Sequence, residues 1–307
     1  MPSRRLGRSL GVNNVPLKTC SFSCVYCQLG KTKHLTVKRR EFYDYKEIAL
    51  EVIDVASKID ELDYISYVPD GEPTLDVNLG REIEIIKREI NCRIAVLTNS
   101  SLLHYDDVRE DLYLADLVSI KIDTVSENVF RRLNRPHYKL KISGIKEGIA
   151  IFTEQFDGDI ITETMLVKGL NDNSKEIMGI AKFISSLRNI RKAYISVPIR
   201  PPTEHWVEIP RNEDIVMAYD LFMNELGGDR VETLTGYEGE NFTLVTDDVV
   251  DEILSIVNVH PLREDYARKI IEKKGLNPNE VISKMLMKNV ISIVNYKGHR
   301  FLIRKIS

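Results

Sequence analysis

Short apolar runs rich in β-branched residues alternate along this chain with longer segments whose apolar positions recur every three or four residues. The runs cover residues 10–12, 64–68, 93–98, 117–122, 160–167 and 193–197, and each predicts a strand. Helical spacing marks residues 44–59, 79–90, 139–156 and 174–187 among the segments between them. Strands separated by helices fit βα units and a parallel sheet, so the fold class is α/β. The pattern leaves both an open doubly wound sheet and a barrel standing.

The pattern changes near residues 243–248. Thr246-Asp-Asp-Val opens a segment with the look of a capped helix, and helical stretches at 262–274 and 277–288 follow. Two apolar strands then flank the turn Asn295-Tyr-Lys-Gly298-His. Three helices and a hairpin in about 60 residues read as a winged-helix-like α+β module. The expected division is 1–243 for the larger domain and 244–307 for a recognition module, with a lid or dimerisation piece as the structural alternative.

Composition adds bounds. A chain of 307 residues with 43% hydrophobic and 29% charged residues is ordinary for a globular protein. It has no apolar run of membrane-spanning length, and the basic N-terminus has no apolar segment behind it, so a cytoplasmic protein without a secretory signal is expected. The net charge of −3 hides a polarity. Residues 1–40 hold nine Lys or Arg and no acidic residue, and from Val259 onward eleven basic residues face four acidic ones. Such ends attract an anionic substrate or redox partner, or are simply solvated faces.

Chemistry enters with cysteine. Cys20, Cys24 and Cys27 stand in Cys-Ser-Phe-Ser-Cys-Val-Tyr-Cys, while the fourth, Cys92, precedes an apolar run and reads as a core residue. The clustering argues against a disulfide framework and for a reducing compartment. Three thiolates on one loop can hold three irons of a [4Fe–4S] cube and leave the fourth open. The spacing is neither the C-x2-C pairing of zinc sites nor the four-cysteine run of ferredoxins.

With Tyr26 before the third cysteine, this segment resembles the signature of the radical S-adenosylmethionine (SAM) superfamily, and nearly the first three quarters of the chain looks like that superfamily. The stretch from Arg4-Arg-Leu-Gly-Arg-Ser-Leu-Gly to Cys27-Gln-Leu-Gly resembles a subgroup catalogued as related to wyosine tRNA synthases. The resemblance implies a partial (β/α)6 barrel with its chemistry at the C-terminal strand ends, as in full barrels. It also implies one [4Fe–4S] cluster, SAM bound at the open iron, and a ferredoxin- or flavodoxin-like electron donor. The reduced cluster then cleaves SAM to a 5′-deoxyadenosyl radical that removes hydrogen from carbon.

Further segments match by the same resemblance. Pro69-Asp70-Gly71-Glu72-Pro73 looks like the Gly-Gly-Glu segment that holds the SAM amino group, with Asp70 at the first glycine. Asn99, in Leu-Thr-Asn-Ser, resembles a Thr-Asn-Gly motif with Ser100 at the glycine. Alternation puts Ser119, Lys121 and Asp123 on one face of a strand. The first and last are ribose candidates and Lys121 a carboxylate candidate, or Lys121 and Asp123 form an internal pair. Asn134, Arg135 and His137 match the subgroup and, with Arg200 and His205 beside Trp206, are candidates to face substrate, the 200–206 stretch reading equally as a proline-rich surface loop; Glu163, on the fifth strand, is core-lining or substrate-facing.

Three functions compete. The first is a radical SAM enzyme acting on RNA, with the terminal module and the basic N-terminus on the phosphates. The second modifies a peptide or protein recognised by the module, for example by strand addition at the hairpin edge. The third is a non-catalytic iron–sulfur regulator that reads DNA. Wyosine synthases carry a second cluster on additional cysteines, and only Cys92 remains here, so a single-cluster enzyme is expected.

Overall fold

The structure, a computed structural model, describes residues 2–3, 5–68, 70–236, 248–259 and 261–305. Arg4, Pro69 and most of the expected boundary stretch, including Thr246 and Asp247, lie outside the described residues. In chain order the elements begin β1 (Pro2–Ser3), β2 (Gly7–Val12), β3 (Thr19–Cys20), β4 (His34–Leu35), α1 (Tyr45–Ala56) and β5 (Tyr64–Tyr67). Then come α2 (Leu79–Glu89), β6 (Arg93–Thr98), α3 (Asp106–Leu112), β7 (Leu117–Lys121), α4 (Glu127–Leu133) and α5 (Ile142–Gln155). The larger unit closes with β8 (Asp159–Met165), α6 (Ser174–Ser185), β9 (Ile190–Ser196), α7 (Asn212–Leu226) and β10 (Val231–Leu234).

Strand order settles what pattern left open. The sheet runs β1-β2-β5-β6-β7-β8-β9-β10, parallel throughout except for β1 at the edge. Each parallel strand lies beside its predecessor, whereas a doubly wound sheet reverses direction at a switch point. With no pairing between β2 and β10 among the described residues, this is an open, partial (β/α)6 barrel extended by one further strand. The six predicted strands are all present, and β10 is the addition.

Alternation sorts the side chains. Outward residues such as Ile65, Ile94, Val96, Val118, Ile120, Ile160 and Ile195 pack under the helices in the main core. The inward residues Leu6, Tyr64, Ala95, Leu117, Ile161 and Tyr194 form a separate apolar cluster, a floor at the N-terminal ends of the strands. The inner positions beyond it are largely polar. Several helices are fixed by caps: the Asp44 carboxylate accepts from Lys46 N ahead of α1, and the Asn173 amide oxygen accepts from Glu176 N ahead of α6.

The C-terminal segment builds α8 (Val249–Val259), β11 (Leu262–Arg263), α9 (Glu264–Lys273), α10 (Pro278–Met287), β12 (Ile291–Tyr296) and β13 (His299–Arg304). Its sheet order is β11-β13-β12, and a core of Val249, Ile253, Ile271, Ile282, Met285 and Leu302 belongs to it alone. Lys297 and Gly298, at φ 48° and 77°, form the two-residue turn of the hairpin. Tyr296 reaches back to the barrel, where its hydroxyl donates to Pro198 O at 2.8 Å. No helix among the described residues is long and apolar enough to cross a membrane.

Candidate active site

The segment from β3 onward carries the three cysteines, Cys20 ending β3 and Cys24 and Cys27 in the loop after it, and its backbone is held at several points. Ser23 N and Val25 N donate to Asn134 O and Leu133 O, both at 3.0 Å, and Cys27 N donates to Cys24 O at 3.1 Å. Phe22 anchors the loop edge-on against Phe130, 5.3 Å between ring centroids. All three thiols are free. Each sulfur faces a nitrogen donor: Asn99 Nδ2 lies 3.4 Å from Cys20 Sγ, Asn134 Nδ2 3.6 Å from Cys24 Sγ, and Lys18 Nζ 3.2 Å from Cys27 Sγ.

The electrostatics of these thiols are those of buried groups close to carboxylates. Burial pushes Cys24 up to about 12, helped by Asp123, and burial with Glu72 raises Cys20 as well. Thiols so placed stay protonated unless a cation draws the protons off, which a metal centre does outright. Among the described residues no three His, Cys, Asp or Glu side chains converge on one ion. A cube takes one thiolate per iron, so its ligands need not converge, and this donor set fits it. Cys92 lies ahead of β6, at the opposite end of that strand from Asn99, and packs against the main core as its sequence suggests.

The loop after β5 presses on the cysteine loop. A Cβ on Gly71 would lie 1.7 Å from Thr19 O, so only glycine fits. Glu72 N donates to that same carbonyl at 3.0 Å. The Glu72 carboxylate is fully buried and accepts from Thr74 N, the Thr74 and Thr98 hydroxyls and Asn99 N at 2.6 to 3.2 Å. Its oxygens thus tie the β5 loop to the β6 loop and set the position of Asn99. Asp70 accepts from Asn13 Nδ2 at 2.7 Å, and burial pushes its carboxyl up to about 6. Ser100, where the family motif has glycine, sits in the left-handed region at φ 68°. That conformation explains the preference for glycine there.

The polar row on β7 is an ionic chain. Lys121 Nζ lies 3.1 Å from Glu163 Oε1 and 3.5 Å from Asp123 Oδ1, and 5.2 Å above the Tyr26 ring. Burial lowers its ammonium from the usual value while Asp123 acts in the opposite sense. Glu163 also pairs with Arg5 and accepts from Ser196 Oγ at 3.0 Å. Asp123 accepts from the Tyr26 hydroxyl, from Asn134 Nδ2 at 2.8 Å and from Met165 N at 2.8 Å. The internal Lys–Asp pair foreseen as an alternative is therefore present.

At the C-terminal strand ends a cavity of about 320 Å³ opens, within the usual range for small-molecule sites. Cys24, Tyr26 and Cys27 line one side; Gly71, Asn99, Ser119 and Lys121 line the other, with Arg200 at the exit of β9. Glu72, Asp123 and Asn134 stand behind these residues, buried, and hold them in place. Arg135, His137 and His205 lie outside the cavity lining. Arg135 pairs with Glu204, and His137 N donates to Ser21 O at 2.9 Å. Sequence reasoning did not single out Ser196 or Arg5 as site residues. Ser196 follows from alternation along β9, but nothing local ties Arg5 to Glu163, 158 residues away.

Comparison with known proteins agrees with this geometry. The sequence pattern of the Radical SAM superfamily matches residues 14–184. The chain is 39% identical over 308 residues to a UPF0026 protein of Methanocaldococcus jannaschii, covering 100% of this chain and 95% of that one. It is 29% identical over 285 residues to a UPF0026 protein of Helicobacter pylori, 91% and 89% of the two chains. Among solved structures, a radical SAM methyltransferase from Sphaerobacter thermophilus shares the fold, with a TM-score of 0.55 at 15% identity over 74% of this chain and 66% of that one. The chain belongs to the radical SAM superfamily, whose members use a [4Fe–4S] cluster and S-adenosylmethionine, and within it to the UPF0026 family.

Proposed function

We propose that this radical SAM enzyme abstracts hydrogen from an RNA, held by the basic N-terminal arm and by residues 244–307 acting as a winged-helix module. Cys20, Cys24 and Cys27 would hold one cluster, and SAM would lie in the cavity beside them. When bound, the two supply a one-electron reductive cleavage whose 5′-deoxyadenosyl radical removes hydrogen from unactivated carbon. A ferredoxin- or flavodoxin-like donor provides the electron.

The protein's own part is positioning. Lys18, Asn99 and Asn134 donate toward the sulfurs and fix their orientation. Gly71 allows the β5 loop to close on the cysteine loop. Lys121, steadied by Glu163 and Asp123, offers a cation for a carboxylate, with the Ser119 hydroxyl two residues before it on the same face. The apolar floor fills the barrel interior at the N-terminal strand ends, below the cavity. Four free thiols and the need for a strong reductant favour a reducing, cytoplasmic setting.

The observation that carries the substrate reading is the Tyr296–Pro198 hydrogen bond, because Pro198 lines the cavity. It ties the module to the mouth of the site. SAM would lie in this cavity, so an RNA substrate needs an adjoining surface, and the segment from Val259 onward has seven more basic than acidic residues. A peptide is the second reading, favoured by β12, which among the described residues pairs with β13 alone and so stands at the edge of its sheet. Binding to bulk tRNA across a salt series separates them. RNA binding should weaken linearly in log–log form, with a slope of about −0.7 to −0.9 for each phosphate neutralised. Salt-independent or absent RNA binding, with peptide bound instead, overturns the RNA reading.

A further inference from the structure

The cysteine loop has two faces, and only one meets the cavity. Two surface loops cover the other face and join it through the backbone. His137 N donates to Ser21 O at 2.9 Å, Glu204 N to Val25 O at 3.1 Å, and the Thr203 hydroxyl to Cys27 O at 2.8 Å. None of Arg135, His137, Tyr138, Glu204 and Trp206 lines the cavity.

These loops present aromatic rings to solvent. Tyr138 is 76% exposed and Trp206 52%. The His137 ring lies 4.4 Å from that of Tyr138. Between the two aromatic positions Arg135 pairs with Glu204, and this pairing holds the glutamate below its usual value, with Trp206 and Lys31 acting in the same sense. Glu204 is thus already matched; Lys31 acts on it and Lys139 on His137, and Lys31, Lys33 and Lys139 are all exposed. The result is two loops, bonded to the backbone of the cysteine loop, that carry exposed aromatic rings and exposed lysines.

We propose that this outer face is the docking site of a small acidic one-electron carrier with a solvent-exposed flavin or iron–sulfur edge. The proposal rests on the radical SAM chemistry described above. In that chemistry the cavity side is filled by SAM and substrate and must exclude competing reactions, which leaves the outer face as the side open to a reductant. Transient redox complexes use small interfaces and rely on complementary charge for encounter. Across this face the carrier loses one electron and the [4Fe–4S] centre gains it; no bond forms or breaks and no proton moves. The basic N-terminal stretch is thereby divided, with Arg5 and Lys18 turned toward the site and Lys31 and Lys33 toward the carrier.

The test uses the full-length reconstituted protein and two reductants, an acidic flavodoxin in its hydroquinone form and dithionite, with bleaching of the cluster absorbance followed by stopped flow. Trp206→Ala, Tyr138→Ala and the double reversal Lys31→Glu/Lys33→Glu should keep the iron content of the parent. The flavodoxin-driven rate should fall about tenfold in the double reversal and should fall with salt in the parent, while the dithionite rate changes less than about twofold. Unchanged flavodoxin rates overturn the proposal. So does equal slowing with both reductants or a loss of iron, either of which makes the face structural, and so does loss of RNA binding with flavodoxin reduction intact. Failure of the parent chemistry is read separately, as a dithionite-reduced protein that leaves SAM uncleaved.

Discussion

Replacing Gly71 by alanine tests how tightly the β5 loop is locked on the cysteine loop. The added Cβ would stand 1.7 Å from Thr19 O and 2.7 Å from Thr19 C, where ordinary contact begins at 3.4 Å. The neighbour is backbone, so no side chain can swing away. The segment next to Cys20 must retreat by about 1.7 Å, and the Glu72 N to Thr19 O bond is lost with it. Overpacking of this kind costs about 1–3 kcal/mol, and a buried backbone pair left unmade about 1–3 kcal/mol more. The expected total is about 2–6 kcal/mol, concentrated where Cys20 must hold its position. Gly144, in α5, has nothing within 4 Å of its virtual Cβ, so Gly144→Ala serves as the control and should stabilise by about 0.5–1 kcal/mol. Chemical denaturation of the metal-free proteins gives the stabilities, and iron content with visible absorbance after reconstitution gives cluster occupancy. A Gly71→Ala protein with the parent's midpoint and full iron would refute the packing argument.

Other outcomes follow from buried charge. Burial pushes Glu82 up to about 9 from its usual 4.5, with Asp76 adding to the rise. The folded state then holds a proton that the unfolded state releases, so stability falls as pH rises from about 4.5 to 9, by about 3 kcal/mol between pH 5 and 7.5. Glu82→Gln should flatten that slope; parallel pH profiles for the two proteins in urea titrations would count against it. Lys121→Met removes the cation between Glu163 and Asp123 and should weaken SAM binding by at least about tenfold, on the scale of a charge-assisted hydrogen bond. Calorimetry showing parental SAM affinity would remove Lys121 from that role. Tyr296→Phe deletes the bond to Pro198 O and should cost about 1 kcal/mol, read in calorimetry as melting of the C-terminal core separating from the barrel. A single unshifted transition would show the contact to be inert.

Much of this was legible because the signals were local. The six apolar runs became strands, since their outer faces pack under helices and inner residues near their N-terminal ends join the apolar floor. β10 escaped because Val231-Glu-Thr-Leu234 is four residues long with two polar positions in the middle. Sequence spacing cannot show which strands are neighbours, so barrel and open sheet parted only with the strand order. At the site, the C-x3-C-x2-C loop and the Ser119, Lys121, Asp123 row were read from spacing and alternation. The use of Glu72 was not, because its burial depends on Thr98 and Asn99 arriving from another strand. Nor was the Arg5–Glu163 pair, which exists only once the N-terminal arm lies beside β8.

The central claim is that Cys20, Cys24 and Cys27 form a working radical SAM centre. The most direct measurement is the yield of 5′-deoxyadenosine when reconstituted protein is reduced with dithionite in the presence of SAM, alongside Cys24→Ala. The parent should release 5′-deoxyadenosine and the variant, lacking the cluster absorbance, should not. Equal yields from both, or none from a parent with a full complement of iron, would contradict the account.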